Sequence, residues 1–202
     1  MSVMITTTSL SLLERMRGGS NQLAWRDFVH AYSPLLMAFA KRLGLPDTDA
    51  DDAVQETLLA VHATFREMSE PFDRSKGRFK SWLRGVAKNK VLDVRRRRAR
   101  QARREQREVL PGADADVAAS PDANELFELE WQRNLLARAL QQVAREVDPA
   151  VYQAFDLHAV HGHTPADVAR LLGVTRNAVY ISKHRILQRV TRLVTELDEQ
   201  EG

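Results

Sequence analysis

Apolar residues recur at helical spacing along most of this 202-residue chain. One row runs from Trp25 to Leu43, a second follows Pro46, and a third begins at Phe79. Apolar positions at i, i+3, i+4 and i+7 predict helices with one buried face, whereas no segment shows the alternation typical of a strand. The pattern therefore predicts an all-α fold.

A further apolar row in the second half predicts a helix over about 125–147. Asp148 and Pro149 then have the residue types of an N-cap and a first helical position, so another helix is expected to begin there. The positions of the 125–147 helix that we expect to face inward are Leu129, Leu136, Leu140, Val143 and Val147.

The C-terminal part carries the signals of two helices joined by a tight turn. Thr164 and Thr175 are predicted to cap them. Ala169 in the first helix, Gly173 in the turn and Val179 in the second helix have the spacing of a helix-turn-helix. Such a motif needs a small residue where the helices touch, a glycine in the left-handed turn and a branched apolar residue where the second helix docks.

The exposed face of the second helix is a candidate surface for duplex DNA. Its N-terminal residues would reach base edges in the major groove, and its basic residues would mostly meet phosphates. An ordinary helical hairpin with a solvated polar face is the alternative interpretation. The candidate residues are Thr175, Arg176, Asn177, Tyr180, Lys183, His184 and Arg185.

An acidic segment separates the two helical parts. Residues 108–125 are mostly small or acidic, include two prolines, and lack apolar periodicity, so they are predicted to form a flexible linker. This divides the chain into two small helical domains, residues 1–107 and 126–202, of which the second contains the helix-turn-helix.

Charge is segregated along the chain, although the net charge is only +3. Residues 74–107 carry fifteen Lys and Arg against two acids, and residues 108–130 carry seven acids and no Lys or Arg. This pattern is typical of a surface for a polyanion followed by an acidic spacer. The absence of cysteine excludes disulfides and fits a cytoplasmic location, and we expect neither secretion nor membrane insertion, since no signal-like or membrane-length apolar run is evident.

The helix that begins at Phe79 joins an apolar stripe to a basic one. Phe79 and Trp82 are expected in the core. The arginine tract that follows is denser than helix capping needs, which favours a nucleic-acid contact. Phe72, in the preceding polar loop, is a candidate for stacking on an unpaired base. The basic candidates are Lys80, Arg84, Lys88, Arg95, Arg96, Arg97 and Arg98.

Two strings resemble a known family. The sequences DADDAVQETLLAVH at 49–62 and FKSWLRGVAKNKVLDVRRRR at 79–98, followed by a linker and a helix-turn-helix, resemble bacterial RNA polymerase sigma factors. The short two-domain form is similar to the extracytoplasmic-function (group IV) type. The resemblance covers residues 10–105 and 130–195.

The resemblance implies roles for particular residues. Lys88, Asn89, Asp93 and Arg95, with the neighbouring arginines, would read and open the promoter −10 element, and the loop bearing Phe72 would hold a base flipped out of the non-template strand. The helix-turn-helix would read the −35 element as duplex. The helix with Asp51, Asp52, Gln55 and Glu56 would bind core RNA polymerase at the clamp helices of its largest subunit.

Other implied partners are the flap of the second-largest polymerase subunit and an anti-sigma factor. The recognition helix departs from the family pattern, because two positions that are usually basic are Tyr180 and Ser182. The promoter sequence therefore cannot be transferred by analogy.

Other function classes fit less well. The sequence has no phosphate-binding glycine loop or nucleophile motif, so we expect neither an enzyme nor a cofactor. His158, His161 and His163 are close in sequence, but without cysteine partners we expect no metal site. The serious alternative is a stand-alone helix-turn-helix regulator that binds an operator as a dimer. A weaker one is a protein-binding adaptor that never touches DNA.

Overall fold

The structure is a computed structural model that describes residues 10–17, 20–67, 79–105 and 121–201. These residues form helices and no strand, which confirms the all-α prediction. Phe72 and residues 108–120 of the predicted linker lie outside the described residues. The helices are α1 (Leu10–Met16), α2 (Gln22–Arg42), α3 (Asp47–Glu67), α4 (Phe79–Glu105), α5 (Pro121–Glu146), α6 (Pro149–Phe155), α7 (Pro165–Leu172) and α8 (Arg176–Glu201), and one π-helical turn, Asp156–Val160, continues α6.

The chain divides into two compact units at a point inside α5. The first unit comprises residues 1–134 with 200–202, and the second comprises residues 135–199. This differs from the expected boundaries, because residues 121–125 are helical rather than linker and residues 126–134 belong to the first unit. The physical reason is that a proline is favourable at the start of a helix, so Pro121 begins α5 instead of interrupting it.

Aromatic side chains fill the core of the first unit. Phe28 of α2 lies 4.5 Å from Tyr32 and 6.1 Å from Phe79 of α4 between ring centroids. Phe65 of α3 meets Trp82 edge-on at 6.0 Å. Phe79 is fully buried, as expected, and Val91 and Val94 extend the buried face of α4 beyond the predicted stripe. α4 is thereby fixed against α2 and α3.

The first half of α5 adds to this core through a face that the sequence prediction missed. Phe127 and Trp131 are buried, and Phe127 lies edge-on to Phe39 of α2 at 5.1 Å. The expectation that Leu129 and Leu136 face inward was wrong, since they are 42% and 46% exposed. The larger aromatic rings bury more apolar surface per residue, so they determine which face of α5 packs.

The second unit packs α6, α7 and α8 with the second half of α5. One cluster joins Val143 of α5 and Phe155 of α6 to Ile186 of α8. A second cluster joins Val168 and Ala169 of α7 to Val179 of α8, with Ala154 of α6. The predicted start of α6 is confirmed, since Asp148 accepts a 2.8 Å hydrogen bond from the Ala150 amide and Pro149 is the first residue of the helix.

Candidate nucleic-acid interface

The first basic residue of α4 lies in a structural contact. Lys80 donates a 2.6 Å hydrogen bond to Glu128 of α5, its Nζ lies 5.5 Å from the centre of the Trp131 ring, and only 15% of its side chain is exposed. Arg84 and Lys88 follow one and two turns later and are half-buried. The predicted basic row is therefore brought together on one helix, but its first member is engaged with α5 rather than presented outward.

The arginine tract is exposed and is partly held by neighbouring groups. Arg95 donates to the carbonyl oxygen of Leu43 at 3.4 Å, and an Arg96 guanidinium nitrogen lies 3.6 Å from a carboxylate oxygen of Asp93. Arg97 and Arg98 are more than half exposed, and each is paired with an acid of α3. Exposed ion pairs of this kind are weak, so a polyanion can compete for the arginines.

The four polar residues of α3 that are predicted to bind polymerase face two directions. Asp51, Asp52 and Gln55 are exposed to solvent, as a partner-binding surface requires. Glu56 points instead towards α4, where it pairs with Arg97 and lies 4.0 Å from Lys90. The structure thus separates a solvent-facing row from Glu56, although the sequence prediction gave all four residues one role.

The turn between α7 and α8 has the local geometry that the sequence predicts. Thr164 accepts a 3.2 Å hydrogen bond from the Asp167 amide, and Gly173 ends α7 in the left-handed conformation with φ +66°. Thr175 accepts a 3.1 Å hydrogen bond from the Ala178 amide and so caps α8. The pKa of Asp167 is lowered by a hydrogen bond from Thr164 and, despite some desolvation, by the charge of Arg170.

Most of the predicted duplex-binding residues share the exposed side of α8. Lys183 is the exception and is half-buried. Tyr180 is 56% exposed, and its ring lies edge-on to His158 at 5.9 Å. Ser182, a departure from the family pattern, is buried and donates a 2.8 Å hydrogen bond to the Ala178 carbonyl. The exposed members are Thr175, Arg176, Asn177, Tyr180, His184 and Arg185.

Comparison with known proteins decides the family. Residues 28–101 match Sigma-70 region 2. Over 188 residues the chain is 30% identical to RNA polymerase sigma factor CarQ of Myxococcus xanthus, which covers 92% of this chain and 97% of the relative. This chain belongs to the RNA polymerase sigma factors.

Further relatives define the type. ECF RNA polymerase sigma factor SigD of Mycobacterium tuberculosis (strain ATCC 25618 / H37Rv) is 30% identical over 183 residues, covering 88% of this chain and 79% of SigD. RNA polymerase sigma factor NccH of Alcaligenes xylosoxydans xylosoxydans is 28% identical over 187 residues, covering 90% and 92%. The chain is thus a sigma factor of the ECF type, and it acts in transcription initiation with RNA polymerase and promoter DNA.

A solved structure entitled "Structure of CnrH in complex with the cytosolic domain of CnrY" is 21% identical and covers 91% of this chain and 96% of that chain. Its TM-score is 0.34, which is too low to support a structural argument.

Two residues of this sigma factor's α8 were missed at the sequence level. Ile181 and Gln188 are exposed and lie in one row with Asn177 and His184, at i, i+4, i+7 and i+11. The buried residues of α8 nearest to them in sequence lie on the opposite side of the helix. Once Val179 had been assigned to the core, the helical period alone could have placed Ile181 outside.

The histidines of the π-helical turn have local partners. The His158 Nδ1 lies 2.8 Å from the His163 carbonyl oxygen, and His161 lies 3.3 Å from a carboxylate oxygen of Asp156. Within the described ranges, no helix of this sigma factor is long and apolar enough to cross a membrane.

Proposed function

We propose that this sigma factor brings core RNA polymerase to a promoter through three surfaces. The exposed face of α3 binds polymerase, the exposed face of α4 binds the −10 element as it opens, and the exposed face of α8 binds the −35 element as duplex. The observation that carries the proposal is the exposed arginine tract Arg95–Arg98, which continues a helix whose other face is fixed in an aromatic core.

Asp51, Asp52 and Gln55 support polymerase binding because their side chains are exposed on one side of α3. The proposed target is the clamp helices of the largest subunit. Glu56 contributes indirectly, since its carboxylate pairs with Arg97 and so ties the polymerase-binding helix to the DNA-binding helix.

The −10 surface combines hydrogen-bonding groups with cations. Asn89 and Asp93 are exposed and lie one helical turn apart on α4, so the Asn89 amide can reach a base edge. The Asp93 carboxylate lies near Arg96 and orients that guanidinium. Arg84, Lys88 and the arginine tract would hold the phosphates, whereas Lys80 would support the surface through its contact with Glu128. For Phe72, the proposed contact with a flipped base rests on the sequence alone.

The −35 surface rests on the capped turn and the exposed face of α8. The Thr175 cap presents Arg176 and Asn177 at the N-terminal end of the helix, which is the end that enters a major groove in helix-turn-helix proteins. We also propose that the C-terminal domain predicted from the sequence, residues 126–202, contacts the flap of the second-largest polymerase subunit. In this function the protein binds polymerase and DNA and catalyses no chemical step of its own. It would act in the cytoplasm, where polymerase is. An anti-sigma factor is a further proposed partner.

Run-off transcription with purified core polymerase and a genomic fragment library tests this function. We expect start sites that require both the core and this protein. The triple replacement of Arg95, Arg96 and Arg97 by alanine should abolish promoter opening but leave most of the polymerase binding, since the exposed face of α3 is unchanged. If no core-dependent start sites appear and the isolated protein binds a palindromic operator tightly as a dimer, the regulator interpretation is correct instead.

A further inference from the structure

An aliphatic side chain lies in the middle of the polar row that α8 presents. Ile181 is 41% exposed, with Asn177 one turn before it and His184 about one turn after it. Gln188 continues the row. Three side chains that can form hydrogen bonds therefore flank one that cannot.

Ile181 lies outside the buried face of α8. The buried face of the helix is formed by Val179, Ile186 and Val190, which are 0%, 0% and 5% exposed. Ile181 lies on the opposite side of the helix from these residues. Because it is branched at Cβ, its side chain is stiff and loses little rotamer freedom when it binds.

The chemistry of the major groove limits what such a side chain can recognise. Base edges there present hydrogen-bond donors and acceptors and one apolar group, the C5-methyl of thymine. An aliphatic side chain against a donor or acceptor would leave that group desolvated and unsatisfied, which is unfavourable. The thymine methyl is the base-edge group that Ile181 can contact favourably.

We propose that Ile181 is a specificity-determining residue that contacts the methyl group of one thymine in the −35 element. This rests on the proposed function, in which α8 reads duplex DNA upstream. Asn177 and His184 would then hydrogen-bond to the base pairs on either side. The exposed Ile181 therefore predicts that one thymine is required in the −35 element. Comparison with the family pattern does not give this base.

The experiment uses the full-length protein with core polymerase. Transcription from a library randomised in the upstream element identifies enriched thymines, and each one is then replaced by deoxyuridine, which removes only the methyl group. For the native protein we expect one position at which the replacement raises the half-saturating promoter concentration about fourfold, the value for one buried methyl-sized group. Ile181→Ala should lose a similar factor on thymine and show no further loss on deoxyuridine.

A matched control is available on the same helix. Leu187 is 44% exposed and lies about a third of a turn around the helix from Ile181, so Leu187→Ala should keep the full sensitivity to deoxyuridine. Ile181→Val, which keeps the branched side chain, should also keep it. Unchanged unfolding midpoints would show that the variants fold normally.

Two results would overturn the inference while leaving the proposed function intact. In the first, no thymine in the selected promoters is sensitive to deoxyuridine. In the second, Ile181→Ala remains as sensitive as the native protein. If no core-dependent transcription occurs at all, the proposed function has failed, and the assignment of Ile181 fails with it.

Discussion

Lys80 Nζ donates a 2.6 Å hydrogen bond to Glu128 Oε1 and so links α4 to the first half of α5. Burial raises the pKa of Glu128, but hydrogen bonds from Lys80 and Gln132 and the charge of Lys80 outweigh this and hold the pKa below its ordinary value of 4.5. The carboxylate form is therefore the one that stabilises the fold.

This pair predicts a pH-dependent stability. A carboxyl group whose pKa is lowered by folding contributes stability above its unfolded pKa and loses it as the pH falls through the folded pKa. Glu128→Gln should therefore reduce the free energy of unfolding near neutral pH, by less than about 1 kcal/mol because Glu128 is 47% exposed. As the pH falls below the ordinary glutamate pKa of 4.5, the difference in free energy of unfolding between the variant and the native protein should shrink. Urea unfolding at several pH values would measure this difference.

Glu125→Gln is the control for this prediction, since Glu125 is exposed on the same helix. The free energy of unfolding of this variant should differ less from that of the native protein, and the difference should change less with pH, than for Glu128→Gln. Equal pH profiles for the two variants would mean that the Lys80 contact does not stabilise the protein.

Two glycines should respond in opposite directions to alanine. An added Cβ would meet open space at both Gly173 and Gly85, but only Gly173 has a positive φ. Gly173→Ala should therefore cost about 1–2 kcal/mol from the left-handed backbone alone. Gly85→Ala, in the interior of α4, should stabilise by about 0.5–1 kcal/mol. Thermal unfolding would measure both, and a neutral Gly173→Ala would contradict the left-handed turn.

Substitutions of Gln55 and Glu56 should have different effects, the first on polymerase binding and the second on stability. Gln55→Ala should weaken binding to core polymerase and leave the unfolding midpoint unchanged, because the side chain is exposed on α3. Glu56→Gln should lower the free energy of unfolding by up to about 1 kcal/mol, because it breaks the pair with Arg97. Binding titrations and denaturant unfolding give the two readouts.

A double-mutant cycle checks the Glu56 assignment. If the pair exists in solution, Arg97→Gln should cost less stability in the Glu56→Gln background than in the native protein. Additive effects would show that the two side chains do not interact.

The arginine tract should determine part of the salt dependence of promoter binding. Arg96→Ala should reduce the slope of log affinity against log salt by about 0.7, the value for one phosphate contact on a single strand. The measurement is binding of the complex with core polymerase to an opened promoter at several salt concentrations. Arg15→Ala, in α1, should leave the slope unchanged, and an unchanged slope for Arg96→Ala would remove Arg96 from the DNA contact.

Features that depend on neighbouring residues in the sequence were predictable. The caps at Asp148, Thr164 and Thr175 follow from side chains that bond to backbone within three residues, and the structure confirms them. The left-handed turn at Gly173, also confirmed, follows from the absence of a Cβ. The sequence therefore sufficed for most helix starts and for the turn between α7 and α8.

Features that depend on distant contacts were not predictable. α5 offers two apolar rows at helical spacing, and contacts with Phe39 and Tyr32 of α2 and with Phe79 of α4 select the row that is buried. This row contains Phe127 and Trp131. Likewise, the charge pattern placed Lys80 with the DNA contacts, whereas its ammonium is engaged by Glu128, 48 residues away. Periodicity states which residues can share a face, but packing decides which face is buried.

The position of the unit boundary inside α5 has a consequence for chimaeric sigma factors. An exchange of promoter specificity joined at the acidic segment would transfer residues 121–134 with the C-terminal module and remove Phe127 and Trp131 from their native partners on α2. A junction after Asn134 keeps those partners together. With this junction, the segment taken from the other sigma factor must continue α5 in the same helical register. A shift of one residue would rotate every following side chain by about 100°.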